Sequence, residues 1–436
     1  MPEDARPLSV VFSGSFARGE SGHYEYRNRR VPSGAYHLEA IVPRPLLDSE
    51  REPIDREIVR RLGFQPAAWD SGPTSVEDAE IHNVLDFRFQ TEEEFLSRPP
   101  DLALWDFLAS YRVLWGENPV TGNLEISLDE ISPFSPLVVL SDRAILGLKH
   151  CSAEYWEKDP TEEEALAFRL AMCRLYLDMA GAISFFYGDY RTGFADRAAF
   201  LRECHGLWKG WFPDPEPFIS QVEDARRFVA EPRLERAEGS KILDEWFRTV
   251  TDLGRILPHV VNLALLTKRV PLPSLADVLR QPMDSGKRPG TIESPFEQDW
   301  RLLVARQIRM YPNLFFRDFL FHALRRKGRK LPWMKSLSSL ASRYYGVFEH
   351  YLWRGRKWLA RNPRRATLSP PAFQLAVLPL ILFSLSPERE VSLKHLEMFD
   401  RLMKPYMLMP FEFLPPLKRW EATKRCFVHE MLDYRK

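Results

Sequence analysis

The hydrophobic period changes once along these 436 residues, and that change limits the fold more than any single motif. Between residues 8 and 133 the apolar residues come in short runs bounded by turn formers, at Leu8 to Phe12, Tyr36 to Val42 and Val84 to Phe89, with helical stretches at Asp55 to Leu62 and Asp101 to Leu114. Short strands interleaved with helices predict a mixed α/β or α+β domain. From about residue 134 the period becomes helical and stays so. Residues 162–187 (EEEALAFRLAMCRLYLDMAGAISFFY) open with acidic side chains just after Pro160 and Thr161, a helix-start signature, and then run apolar at i, i+3, i+4 spacing. They predict one long bundle helix. The expected fold class is therefore α+β, an N-terminal mixed sheet with helices packed on it, followed by a large all-α region.

A charged, Pro/Gly-rich stretch from Arg280 to Glu293 (RQPMDSGKRPGTIE) reads as a linker, which divides the chain into 1–133, 134–285 and 286–436. The near-neutral net charge of +1 conceals an asymmetry across this linker. Residues 1–300 carry 34 Lys+Arg against 50 Asp+Glu, a balance of −16, whereas 301–436 carry 27 against 10, a balance of +17. Such a division points either to an anionic partner or to attraction between two parts of one molecule. Within 325–365, Arg325, Arg326, Lys327, Arg329 and Lys330, then Arg354, Arg356, Lys357 and Arg361 to Arg365, are interleaved with Trp333, Tyr344, Tyr345, Trp353 and Trp358. Basic and aromatic side chains together suit nucleic acid or an anionic membrane surface, and equally suit a solvated helix face. The most apolar segment, Pro371 to Leu385, falls short of the about 20 residues that span a bilayer as a helix, and Pro379 interrupts it. It is expected to be a buried core helix.

Composition excludes several classes. The 45% hydrophobic and 28% charged content is that of a globular chain, not of a disordered or collagenous one. Four scattered cysteines, Cys151, Cys173, Cys204 and Cys426, make neither a CxxC pair nor a disulfide framework. The segment MPEDARPLSVVFSG lacks a basic stretch leading into a long apolar run, so a cytoplasmic location is expected. Arg-to-His spacings at Arg317 to His322, Arg343 to His350 and Arg389 to His395 occur about as often as composition alone supplies, and carry no information.

The segment with chemical content is Val10-Val11-Phe12-Ser13-Gly14-Ser15-Phe16-Ala17-Arg18-Gly19-Glu20. An apolar strand running into Gly-Ser places a tight turn and unpaired backbone N–H groups at a helix start. The N–H groups and the positive end of the helix dipole face an incoming anion together, and Ser15 adds a hydroxyl.

On these residues the chain resembles the DNA polymerase β-like nucleotidyltransferase superfamily, in particular bacterial proteins in which GSxARGE is followed by a strand carrying acidic residues. The resemblance extends over about residues 8–235. It includes Trp105 to Gly116 as a helix and RVLYG-type turn, Pro136 to Leu148 with Asp142-Arg143 at an Asn-Arg position, and Arg174 to Asp178 through Gly188-Asp189-Tyr190 to Asp196-Arg197 as the helix, turn and Arg of a helical domain. It implies that residues 1–133 are a nucleotidyltransferase-like domain, that 134–285 close a cleft over a nucleoside triphosphate, and that Mg²⁺ serves as cofactor. Gly14, Ser15, Arg18 and Gly19 are then the nucleotide-binding turn, with Asp178, Tyr190 and Arg197 on the helical side; packing and capping contacts are the other reading of those three.

The family's second strand has two acidic residues, two apart, that hold a metal pair. Here the strand is Ser33 to Val42, with Glu39 at the second acidic position and His37 at the first. Asp86, in Ile81 to Phe89, is the candidate third carboxylate, or a solvent-facing residue on an alternating strand. Glu39 and Asp86 would be the catalytic pair and, with His37, the metal ligands. His37 offers nitrogen where hard Mg²⁺ prefers oxygen. Two functions follow from the resemblance. One is a degenerate member acting as a nucleotide-binding or partner-binding scaffold; the other is an active Mg²⁺-dependent enzyme that moves an NMP group from an NTP to a hydroxyl of an unknown acceptor.

Overall fold

A computed structural model describes residues 6–26, 29–47, 85–96, 101–120, 126–131, 135–266, 378–403 and 413–435, with isolated positions between these, Arg98 among them. The chain divides into two compact units, Met1–Arg288 and Pro289–Lys436. The basic tract 325–365 and the helical stretch expected at Asp55 to Leu62 lie outside the described residues, the latter apart from isolated positions.

The first unit has mixed α and β content, with every named strand between Ser9 and Gly116 and long helices thereafter. Its main sheet has four strands in the order β5-β4-β1-β6, with β1 Ser9–Ser13, β4 Tyr36–Val42, β5 Leu85–Thr91 and β6 Arg112–Gly116. Strand β1 runs antiparallel to both neighbours, and β4 runs parallel to β5. A separate hairpin pairs β2 His23–Tyr26 with β3 Arg29–Pro32. The strands at 8–12, 36–42 and 84–89 thus fall where alternation placed them, within a residue or two.

Residues directly opposite one another share a face of the sheet. Val11 lies opposite Glu39, Ser9 opposite Ile41 and Ser13 opposite His37, and His37, Glu39 and Ile41 in turn neighbour Asp86, Arg88 and Gln90. One end of this face is covered by helices α2 Glu92–Leu96 and α3 Leu102–Leu108, so that Val11 and Ile41 are buried with Phe95, Leu104 and Phe107. Asp101 starts α3, its side chain accepting from the Leu104 N–H at 2.8 Å. The helix expected to continue to Leu114 stops at Leu108, and Arg112–Gly116 forms an edge strand. Two things favour the strand: Val113 and Trp115 are β-prone, and Gly116, at φ +81°, lies where a Cβ would come within 2.1 Å of the Leu8 carbonyl oxygen.

The helical part of the unit is built around α5, Glu162–Phe186, which packs against α4 Ser135–His150, α6 Phe194–Glu203, α7 Glu216–Ala230 and α8 Gly239–Leu266. The long helix expected at 162–187 is α5. A capping box starts it, Thr161 Oγ1 accepting from the Glu164 N–H while the Glu164 carboxylate accepts from the Thr161 N–H. The sheet and the helices meet backbone to backbone: the Gly22 N–H donates to the Val229 carbonyl at 3.0 Å, where a Cβ on Gly22 would overlap the Ala230 carbonyl oxygen.

In the second unit, α9 Leu393–Met403 and α10 Pro416–Arg435 enclose the end of the apolar segment. Leu378, Leu380, Ile381, Leu382, Phe383 and Leu385 are buried, and the Trp420 indole N–H donates to the Ile381 carbonyl at 3.2 Å. The part of Pro371 to Leu385 that is described is therefore core. Among the described residues no helix is long and apolar enough to cross a membrane.

Candidate functional site

The strand β1 ends at Ser13, and the chain turns directly into the one-turn helix α1 Gly14–Ala17. Gly14 takes φ +82°, which an L side chain resists, and the His37 ring sits against it: a Cβ there would meet His37 Cδ2 at 2.7 Å. Ser15 Oγ accepts from Ser21 Oγ at 2.5 Å, and the Ser15 carbonyl accepts from the Glu20 N–H at 2.9 Å, so the turn from Gly14 to Ser21 is tied to itself. Gly19, at φ +74°, lets the chain reverse.

Arg18 and Glu20 carry this turn to the helical region. Arg18 Nε donates to Glu20 at 2.6 Å, and its guanidinium lies 5.5 Å over the Phe194 ring. The other Glu20 oxygen accepts from the Phe194 N–H, the first of α6, at 2.5 Å. A carboxylate there satisfies an otherwise unpaired donor and faces the positive end of the helix dipole. Glu20, with no role assigned by sequence, is thus a helix cap joining the two parts of the unit.

Next to it Arg197, on α6, is buried with a full set of partners. Its Nε donates to the Arg191 carbonyl (2.8 Å), Nη1 to Asp178 (3.1 Å) and the Leu177 carbonyl (3.3 Å), and Nη2 to the Tyr190 hydroxyl (2.7 Å) and Asp106 (3.4 Å). Tyr190 donates to Asp106 at 3.2 Å, and Arg143 Nε donates to Asp178 at 2.7 Å. Asp178, Tyr190 and Arg197 are therefore brought together, each bonded to at least one of the others. Burial pushes the Asp106 carboxyl up to about 6, against the pull of Arg197 and Arg18 and with the help of Asp178. Its second oxygen, Oδ1, is buried and accepts no hydrogen bond. For Arg197, burial works against the charge, but Tyr190, Asp106 and Asp178 outweigh it and hold its pKa above the ordinary range.

The residues expected to hold metal are arranged differently. His37, Glu39 and Asp86 fall on one face of β4 and β5, with His37 and Asp86 in register; the Asp86 side chain is not among those described. Glu39 points into the helix-covered part of that face, where its Oε2 accepts from Arg98 Nη2 at 2.5 Å and from Gln90 Nε2 at 2.6 Å. Arg98 in turn lies over the Phe95 and Phe107 rings, at 5.0 and 5.4 Å, and also donates to Gln90 Oε1 at 2.9 Å. The charge of Glu39 is thereby neutralised by a guanidinium in a closed network. A carboxylate bound in this way beside a nitrogen donor is a poor donor set for Mg²⁺, which takes oxygen ligands at short range. Among the described residues no group of three or more His, Cys, Asp and Glu side chains is placed to hold a metal ion. Arg98, which decides the state of Glu39, is 59 positions away in sequence, and no local pattern marked it.

No protein-family model matches the chain, and no curated protein or solved structure matches it.

Proposed function

We propose that this chain is a nucleotidyltransferase-like protein that has lost transfer chemistry and serves as a nucleotide-binding scaffold. The observation that carries the proposal is the Glu39–Arg98–Gln90 network beside His37. Transfer of a nucleotidyl group in such folds depends on carboxylates free to hold a metal pair. Glu39 is held by Arg98, and the other acidic position on the strand is His37. What supports binding is the turn itself: a strand ending in Gly14-Ser15, a positive-φ glycine, and the N–H groups of a helix start, with Arg18 alongside. The register of Asp86 with His37 favours the second reading, an active Mg²⁺-dependent enzyme acting on an unknown acceptor hydroxyl.

Titration calorimetry with the four nucleoside triphosphates, with and without Mg²⁺, separates the two. The scaffold reading expects a nucleotide to bind with the same affinity in both conditions and Glu39→Ala to leave that affinity unchanged. Binding that requires Mg²⁺ and disappears in Glu39→Ala establishes the enzyme instead. The absence of binding to all four removes the nucleotide and leaves a partner-binding scaffold.

A further inference from the structure

The guanidinium groups around α5 are not equally satisfied. Arg197 has five hydrogen bonds and two carboxylates. Arg174, on the same helix as Asp178 and four residues before it, has one: Nη2 donates to the Ser33 carbonyl at 2.6 Å. Among the described residues no carboxylate forms an ion pair with it. It reaches the start of the segment leading into β4, three residues before His37, where Gly34 leaves room for it: a Cβ on Gly34 would fall 2.3 Å from Arg174 Nη2. Arg143, on α4, uses Nε on Asp178 and keeps its side chain about a third exposed, with no protein partner for either Nη among the described residues.

Both side chains keep some contact with solvent, so water serves the N–H groups that no protein acceptor takes, and an anion that displaces this water meets donors already in place. Burial, and then the charge of Arg143, draw the Arg174 pKa down to about 10. Asp178 answers both in part, but it is already shared between Arg143 and Arg197. The positive charge of Arg174 therefore lies against Ser33 and Gly34, in the segment that leads into the strand whose His37 packs on Gly14.

We propose that Arg174 and Arg143 form an anion site that takes a polyphosphate group without a divalent cation. The choice of polyphosphate rests on the nucleotide-binding reading above. The planar fork of a guanidinium matches phosphate oxygens in bidentate fashion, and two such groups supply the counter-charge that Mg²⁺ otherwise brings. Arg143, the more exposed, is the entry residue; Arg174, fixed at one corner by Ser33, directs its remaining N–H groups at the anion.

The test is calorimetric titration of the full chain with inorganic tripolyphosphate in EDTA, in parallel with a nucleoside triphosphate. Tripolyphosphate is expected to bind without metal, to weaken as salt is added, and to lose affinity by roughly tenfold or more in Arg174→Ala, as loss of a charged hydrogen-bonding partner entails. Arg143→Gln is expected to weaken it by a smaller factor, and because Arg143 is about a third exposed this variant carries the test if Arg174→Ala does not fold. No binding in EDTA, or affinity unchanged in folded variants at both positions, overturns the site. Tripolyphosphate bound in a manner dependent on Arg174, with no nucleoside triphosphate bound, leaves the site standing for inorganic polyphosphate and removes the nucleotide reading. Nucleotide binding indifferent to both substitutions does the reverse.

Discussion

Glu39 and Arg197 are both buried, paired charges in the first unit, one on the sheet and one among the helices, but the charges around them are balanced differently. On the sheet face the carboxylate is closed off: Arg98 and Gln90 take one Glu39 oxygen, and two aromatic rings cover Arg98. Among the helices the charges remain unbalanced, with Arg143, Arg174 and Arg197 around Asp178 and Asp106, one guanidinium held at a single corner and one carboxylate oxygen without a donor. The difference is one of charge balance: the acidic position on the strand is matched by Arg98, whereas the cations among the helices outnumber their carboxylates.

The largest expected effect tests how far the Arg197 network holds the unit together. Arg197→Ala leaves Asp178 and Asp106 without their buried cation, and breaking such a pair costs about 3–5 kcal/mol; urea melts should show a loss of that size. A loss below about 1 kcal/mol, the range of exposed pairs, would mean that water already compensates those carboxylates.

Arg98→Ala should cost less, about 2 kcal/mol, because both partners keep some exposure and Gln90 continues to donate to Glu39. The double variant Arg98→Leu with Glu39→Leu should recover most of that loss, since a buried pair replaced by apolar side chains of similar volume is often neutral. If the double variant is worse than the single, Glu39 has another role on the sheet.

The pH dependence distinguishes the regions further. The Asp106 carboxyl, at about 6 in the folded chain against an ordinary 3.8, holds a proton in the native state where the unfolded chain has already released it. Between these values the native state binds more protons, so stability contributed by Asp106 is greatest at the acidic end and is lost as the pH rises through about 6. Urea melts at several pH values should therefore show wild type losing stability relative to Asp106→Asn as the pH rises across this window. A difference between the two that does not change with pH would show that Asp106 titrates normally.

The smallest effect compares two glycines that each make room for an arginine. A Cβ on Gly181 would come within 3.2 Å of Arg197 Cζ, and that guanidinium cannot give way without losing its bonds. Gly181→Ala should destabilise by about 1 kcal/mol even after the gain in helix propensity. Gly34→Ala meets Arg174 Nη2, which can move aside at the loss of a single hydrogen bond, to the Ser33 carbonyl, and should cost about 0.5 kcal/mol. Equal costs at the two positions would mean that Arg174 is held as firmly as Arg197.

The strands at Ser9–Ser13 and Tyr36–Val42, the long helix Glu162–Phe186 with its Thr161–Glu164 cap, and the turn at Gly14 were all legible in the sequence. Each depends on residues within a few positions of one another: alternation, helical spacing, a cap at N3, a glycine where φ turns positive. The helix expected to reach Leu114 failed because the end of an element is decided by what it packs against, here the edge of β1. The family resemblance singles out Arg197, Asp178 and Tyr190, but nothing in the sequence shows that they bond to one another and to Asp106. The state of Glu39 was decided only by tertiary structure. Its acidic position on the strand was plain, yet its partner is 59 positions away, and Asp106 and Arg197 are separated by 91. A carboxylate is a metal ligand or one half of an ion pair according to which cation the fold brings within hydrogen-bond reach, and the period of a sequence holds no record of that approach.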